Sequence, residues 1–200
     1  MDTLNEKEKY YHEWVKRVTL FLEEVGPNLG NGGRSCSVMQ SRPVLEKDVD
    51  VVFLGCNPDE NWGYCGVENE RFFNGNKHFY NTDKYHNNNA MLHHPWKIWY
   101  KLYNAFASDC LKNNTSLMID GNYVYMNAYY FGTKTLKQLD SLPGIEPLKK
   151  KCLEYTKEII QNVFRPKLIV CFSVLTGISE RDKFFNEDIS STILVEPSAL

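Results

Sequence analysis

The sequence has no Cys-x-x-Cys pair, no apolar run approaching membrane-spanning length and no excess of positive charge, and each absence removes a class of protein. Its six cysteines, Cys36, Cys56, Cys65, Cys110, Cys152 and Cys171, stand singly. Structural zinc and iron–sulfur sites normally draw on closely spaced pairs, so no metal and no cofactor is expected. Cys56 and Cys171 fall inside apolar stretches and read as buried thiols. A bilayer needs about 20 consecutive apolar residues, and the first segment reads as a charged helix rather than a signal peptide. The expectation is an intracellular protein (cytoplasm or nucleoid, or nucleus in a eukaryote) that does not engage a membrane. A net charge of −2 argues against a strongly basic protein that coats nucleic acid, while leaving room for one local basic patch. The histidines His78, His86, His93 and His94 lie in an Asn- and Lys-rich stretch whose spacing suits loop surface better than chelation, and no histidine follows His94.

What is present fits one domain over residues 1–200: 42% of the chain is apolar, enough to build a core at this size. Residues 3–25 predict an amphipathic N-terminal helix, with Thr3 and Glu6 as a capping box and Gly26-Pro27 as its stop. Residues 26–47 read as loop, Val49–Leu54 as a strand buried on both faces, and residues 55–94 as a long functional loop region rich in Asn, Gly and aromatics. Pro95 opens a second helix carrying Trp96, Trp99 and Phe106, and Tyr123–Tyr129 is the next strand. A Gly/Thr/Lys loop, a helix over about 145–164, a strand Lys167–Phe172 and a short strand Thr192–Val195 complete the pass. Strands alternating with helices predict an α/β fold with a parallel sheet, and ligands of such sheets bind beyond the carboxyl ends of the strands. The residues to watch are therefore Gly55-Cys56-Asn57-Pro58, Asn127, Ser173 and Glu196-Pro197-Ser198.

Those segments resemble the motifs of one family. VVFLGCNPDE (51–60) is similar to the first motif of the uracil-DNA glycosylase superfamily, closest to the Gly-x-Asn-Pro form of its mismatch-specific uracil/thymine branch. YVYMNAYY (123–130) resembles the strand that ends in a base-reading Asn, EIIQNVFRPKLIVCF (158–172) the helix–Pro–strand unit before the last motif, and EPSAL (196–200) the last motif itself. The resemblance runs from about residue 49 to the end, with its parts in order. It implies a three-layer αβα fold around a central four-stranded, mainly parallel sheet, and a partner: DNA, single- or double-stranded, carrying a damaged base. It further implies a monomer without a cofactor that hydrolyses the N-glycosidic bond of uracil or a related base.

Carried over by position, the resemblance makes Asn57 the catalytic residue that positions water. It assigns Asn127, Phe73, Gly55 and Cys56 to the base, and Pro58, Pro197, Ser198 and Leu200 to DNA. The chemistry is consistent with those types. A side-chain amide orients water but takes no proton at neutral pH, so base departure would be dissociative, and one amide presents a donor and an acceptor together. An extruded base needs an aromatic partner, the role given to Phe73. Each residue also has a plainer reading. Gly-Cys-Asn-Pro is a serviceable turn, Asn127 can tie a loop to a strand end, Phe73 can be core, and Lys134, Lys137 and the Lys149–Lys151 run can be solvated faces. Glu196 departs from the His or Asn usual in the last motif, and a carboxylate there opposes charge building on the leaving base. That departure sets a second expectation beside the enzyme: a superfamily member of impaired catalysis that binds a nucleobase or nucleic acid.

Overall fold

The computed structural model describes residues 5–39, 41, 43–58, 122–171 and 193–195. The first helix, α1, is Glu6–Val25. Its N-cap is Asn5 rather than Thr3: the Asn5 side chain accepts from the Glu8 amide at 2.9 Å, and Glu8 accepts from the Asn5 amide at 2.9 Å. This reciprocal pair satisfies two of the donors a helix start leaves open. Tyr11, Trp14, Val18 and Leu22, at helical spacing, form the buried stripe. Gly26–Asn28 follows as a single 3₁₀ turn holding Pro27.

Three strands make the body of the sheet: β1, Val51–Gly55; β2, Tyr123–Asn127; and β3, Leu168–Cys171. β1 is central and parallel to both neighbours, with Val51 opposite Tyr123 on one side and Leu168 on the other. A three-residue segment, β4 (Ile193–Val195), runs parallel beside β3, giving the order β2-β1-β3-β4. The α/β class and the parallel sheet hold as expected. The proposed second helix, opening at Pro95, lies outside the described residues.

Between β2 and β3 the chain forms α2, Leu136–Asp140, and α3, Ile145–Ile159, which runs on through a π turn, Ile160–Phe164. α2 falls where the sequence reads as loop. It forms because Thr135 caps it, accepting from the Gln138 amide, and because Leu139 is buried. The π turn ends at Arg165, with φ of 45°, one residue before Pro166, which cannot continue the helical ladder.

Side chains alternate across the sheet. Val52, Leu54, Val124, Met126, Ile169 and Cys171 share one core with the stripes of α1 and α3. Val51, Phe53, Gly55, Tyr125, Asn127 and Val170 occupy the opposite face and are also buried. Trp14 is fully buried at the centre of the helical side, donating Nε1–H to the Tyr155 carbonyl at 2.9 Å. Nearby, Glu158 of α3 gathers Arg17 and the Tyr10 hydroxyl of α1 onto its carboxylate. Cys152 is fully buried, and burial pushes its thiol up to about 12.

The outer edge of β2 is covered by the loop after α1. Ser37 donates to the Tyr130 carbonyl, Asn127 to the Val38 carbonyl and Gly132 to the Ser35 carbonyl, at 2.9, 2.9 and 2.8 Å. The Ser41 hydroxyl accepts from the Tyr125 amide at 2.8 Å in place of a strand carbonyl. An edge satisfied in this way offers no template to another chain. Among the described residues no helix is long and apolar enough to cross a membrane.

Two outcomes are expected. Trp14→Ala should destabilise the fold by about 3–5 kcal/mol, the usual cost of deleting a buried indole, read as a lower urea midpoint. Burial raises the Glu158 pKa, but Arg17 and Tyr10 outweigh it and hold the carboxyl below its ordinary 4.5. A depressed carboxylate stabilises above that value and loses its contribution as pH falls through it. Glu158→Gln should therefore flatten the acid limb of a melting-temperature profile below about pH 4.5; an unchanged limb would remove Glu158 from the acid sensitivity.

Candidate functional site

The order β2-β1-β3-β4 fixes where a ligand site belongs. The chain leaves β1 toward β2, on one side, and leaves β3 toward β4, on the other. Adjacent strands with diverging connections open a crevice at their carboxyl ends, and open α/β sheets bind their ligands there. The β1 contribution to that crevice is Gly55-Cys56-Asn57-Pro58.

Register brings Asn127 to the same level, because Gly55 and Asn127 are partners at the last rung of the β1–β2 ladder. The pairing continues past the strands: Ala128 donates to the Gly55 carbonyl, Tyr129 to Cys56 and Thr133 to Pro58, at 2.8, 2.8 and 3.0 Å. Two loops 70 residues apart in sequence are thus laced into one rim.

Gly55 is glycine for want of space. A Cβ there would lie 2.9 Å from Asn127 Oδ1 and 3.0 Å from the Tyr125 hydroxyl. The missing side chain lets the Asn127 amide lean over β1. Asn127 is 1% exposed, and its Nδ2 donates to the Ser37 carbonyl at 3.0 Å. Its Oδ1 is shut off from solvent and has no hydrogen-bond partner. A buried amide oxygen left unpaired costs about 1–3 kcal/mol, so such atoms ask for a reason.

Asn57 is held in the same sense, through its NH₂ group. Its Nδ2 lies 2.9 Å from the Pro58 carbonyl, 3.0 Å from Thr133 Oγ1, 3.1 Å from the Thr133 carbonyl and 3.4 Å from the Phe131 carbonyl. Surrounded by acceptors, that end of the amide must be the NH₂ group. Thr133 Oγ1 passes its own proton to the Thr135 carbonyl at 2.8 Å, so its lone pairs face Asn57. No described residue donates to Asn57 Oδ1.

The other expected site residues divide. Cys56 is half-buried rather than buried, because it stands one residue past the strand end. Pro58 is buried, and its carbonyl is taken by Thr133 and Asn57. Phe73, Ser173, Glu196, Pro197, Ser198 and Leu200 lie outside the described residues. Ser37 and Thr133, which hold the two amides, were not singled out from the sequence; no local pattern links 37 to 127 or 57 to 133, and only strand register does. Among the described residues no three His, Cys, Asp or Glu side chains gather as metal ligands. No family model and no curated protein sequence matches the chain.

Gly55→Ala tests the close approach. The added methyl should displace Asn127 or Tyr125 and destabilise by about 1–3 kcal/mol, as overpacking does. A denaturation midpoint equal to wild type would mean that Asn127 does not rest on β1.

Proposed function

We propose that the chain is a DNA glycosylase-like protein that hydrolyses the N-glycosidic bond of uracil or a related damaged base, with the β1/β2 rim as its base-reading and water-positioning edge. The observation that carries this reading is the state of the two amides. Each is clamped through its NH₂ group, and each leaves its carbonyl oxygen without a donor among the described residues.

At Asn127 the Ser37 carbonyl takes one of two N–H groups. One N–H and Oδ1 remain on the same planar amide, the donor–acceptor pair that complements O4 and N3–H of uracil. Cytosine presents the reverse pattern at those positions. The Ser37 bond matters to selectivity because an amide flip would exchange the two preferences. The orphaned Oδ1 then has its reason: N3–H of the base supplies the missing donor. The contacts of Asn57 turn its Oδ1 into a fixed acceptor for a water hydrogen, which leaves a water lone pair to meet the sugar carbon. No group in this pair takes a full proton, so the C–N bond breaks first and the base leaves as an anion with the bonding electrons. Oriented water captures the oxocarbenium-like sugar, and the proton that water sheds ends, through solvent, on the departed base. Under this reading Gly55 and Cys56 floor the base site, Phe73 is assigned to the base by the resemblance, and Pro58 holds the turn. Pro197, Ser198 and Leu200 meet DNA, which the protein engages as a monomer inside the cell.

The second reading is a base-binding module of the same fold without turnover, and Glu196 favours it, since a carboxylate near the leaving base raises the barrier to anion formation. A uracil-containing oligonucleotide separates the two. Alkali-labile abasic sites support the enzyme; uracil-dependent binding without them supports the module; neither would remove both. In the first case Asn57→Ala should lower base release by about 100-fold or more, the scale on which misplacing a reactant acts. Because Asn57 also ties its turn to Thr133, that variant needs a melting curve beside the rate. Asn127→Asp loses the donor to O4 and the Ser37 bond together, and should erase the preference for uracil over cytosine. Retained preference would rule out Asn127 as the reader.

A further inference from the structure

The loop that clamps Asn127 carries a cation, Arg34, that forms no ion pair among the described residues. Gly30-Asn31-Gly32-Gly33-Arg34 turns through three glycines at φ of 69°, 81° and 75°, a region side-chain-bearing residues seldom enter. The Arg34 amide is tied to the Gly26 carbonyl at 2.9 Å, and the next residue, Ser35, accepts from Gly132 at 2.8 Å. Arg34 therefore stands at the carboxyl edge of the sheet, beside the rim that holds Asn57 and Asn127. Its guanidinium lies along Gly30: a Cβ on Gly30 would fall 3.0 Å from one terminal nitrogen, 3.3 Å from Nε and 3.5 Å from Leu142. Arg34 Nε is closed to solvent and has no acceptor, and no described carboxylate pairs with this guanidinium. Arg34 as a whole is half-buried, and a buried guanidinium N–H without an acceptor is costly. Two further cations continue the edge. Lys134 follows Thr133, the residue that holds Asn57, and Lys137 is the second residue of α2. Both are exposed and neither forms an ion pair among the described residues. The nearby acids Asp140 and Glu146 are engaged with Lys149, at 2.8 and 3.3 Å.

We propose that Arg34, packed on Gly30 and flanked by Lys134 and Lys137, is a phosphate-contacting edge that grips the backbone of the nucleic-acid strand whose base enters the β1/β2 rim. It deepens the reading above and rests on it for the identity of that strand. Guanidinium meets phosphate through a planar fork of donors, which suits an anchor; exposed lysines act as point charges along the backbone. Such contacts fix position and carry no sequence preference. They release condensed counterions, so each leaves a measurable mark on the salt dependence of binding.

The test is binding of fluorescein-labelled 20-mers, single-stranded and duplex, with and without one uracil, from low to moderate salt. Arg34→Gln should weaken binding of all four probes alike and lower the slope of log K against log salt by about 1. The triple variant R34Q/K134Q/K137Q should lower it by about 2 to 3. K134Q/K137Q alters only exposed side chains and keeps the question open to an answer if Arg34→Gln fails to fold. Slopes equal to wild type in folded variants would overturn the proposal, as would competition by inorganic phosphate that removes Arg34 dependence without releasing the strand. The two ideas fail separately. Unchanged slopes with base release intact discard this edge alone. Reduced slopes with no response to uracil in any assay discard the glycosylase reading and keep a nucleic-acid surface.

Discussion

The structure turns on one rung of a parallel ladder, where Gly55 faces Asn127. Backbone hydrogen bonds set that rung, and the absent side chain at Gly55 decides what can occupy the space above it. A slip of one residue would carry Asn127 to the helical face of the sheet and turn Val124 and Met126 away from it, because side chains alternate along a strand. The buried sides of β1 resist that slip: Val52 and Leu54 belong to the core shared with α1 and α3, and Phe53 is fully buried on the other face. Hydrophobic burial thus holds a polar geometry that it takes no direct part in.

From that rung the rest follows by short tethers. Pairing past the strand ends carries Cys56 and Pro58 alongside Tyr129 and Thr133, which brings the Thr133 hydroxyl to Asn57. The loop covering the edge of β2 places the Ser37 carbonyl at the Asn127 amide. That one loop therefore protects an open edge, orients a buried amide and presents Arg34 at the same end of the sheet. The loop's backbone groups at Ser35, Ser37 and Val38 pair with β2 and its extension rather than with water.

Much of this architecture is legible in the residues. β-branched runs mark β1 and β3, and the 3.6-residue spacing of Tyr11, Trp14, Val18 and Leu22 marks α1. Gly55 and Asn57 are legible at the end of β1, but the end of β2 is not: the expected strand Tyr123–Tyr129 runs two residues past Asn127, because Ala128–Phe131 are apolar as well. Other boundaries are less legible too. The cap of α1 moved from Thr3 to Asn5 because both positions satisfy the same spacing rule, and only geometry selects between them. α2 is short and polar, so it lacks the periodicity that would announce it. The tethers were beyond reach for a different reason. Ser37 to Asn127 and Asn57 to Thr133 join residues 90 and 76 positions apart, and their meeting depends on register and on a loop path that composition does not encode.

The central proposal is that the unpaired edge of the buried Asn127 amide reads a pyrimidine while its other N–H stays on Ser37. The side-chain amide protons of Asn127, observed by nitrogen–proton correlation spectroscopy during titration with a uracil-containing oligonucleotide and with its cytosine counterpart, test this directly. One Asn127 proton should remain protected from exchange throughout and the other should shift with uracil alone. Identical spectra with both oligonucleotides, at concentrations where either binds, would contradict it.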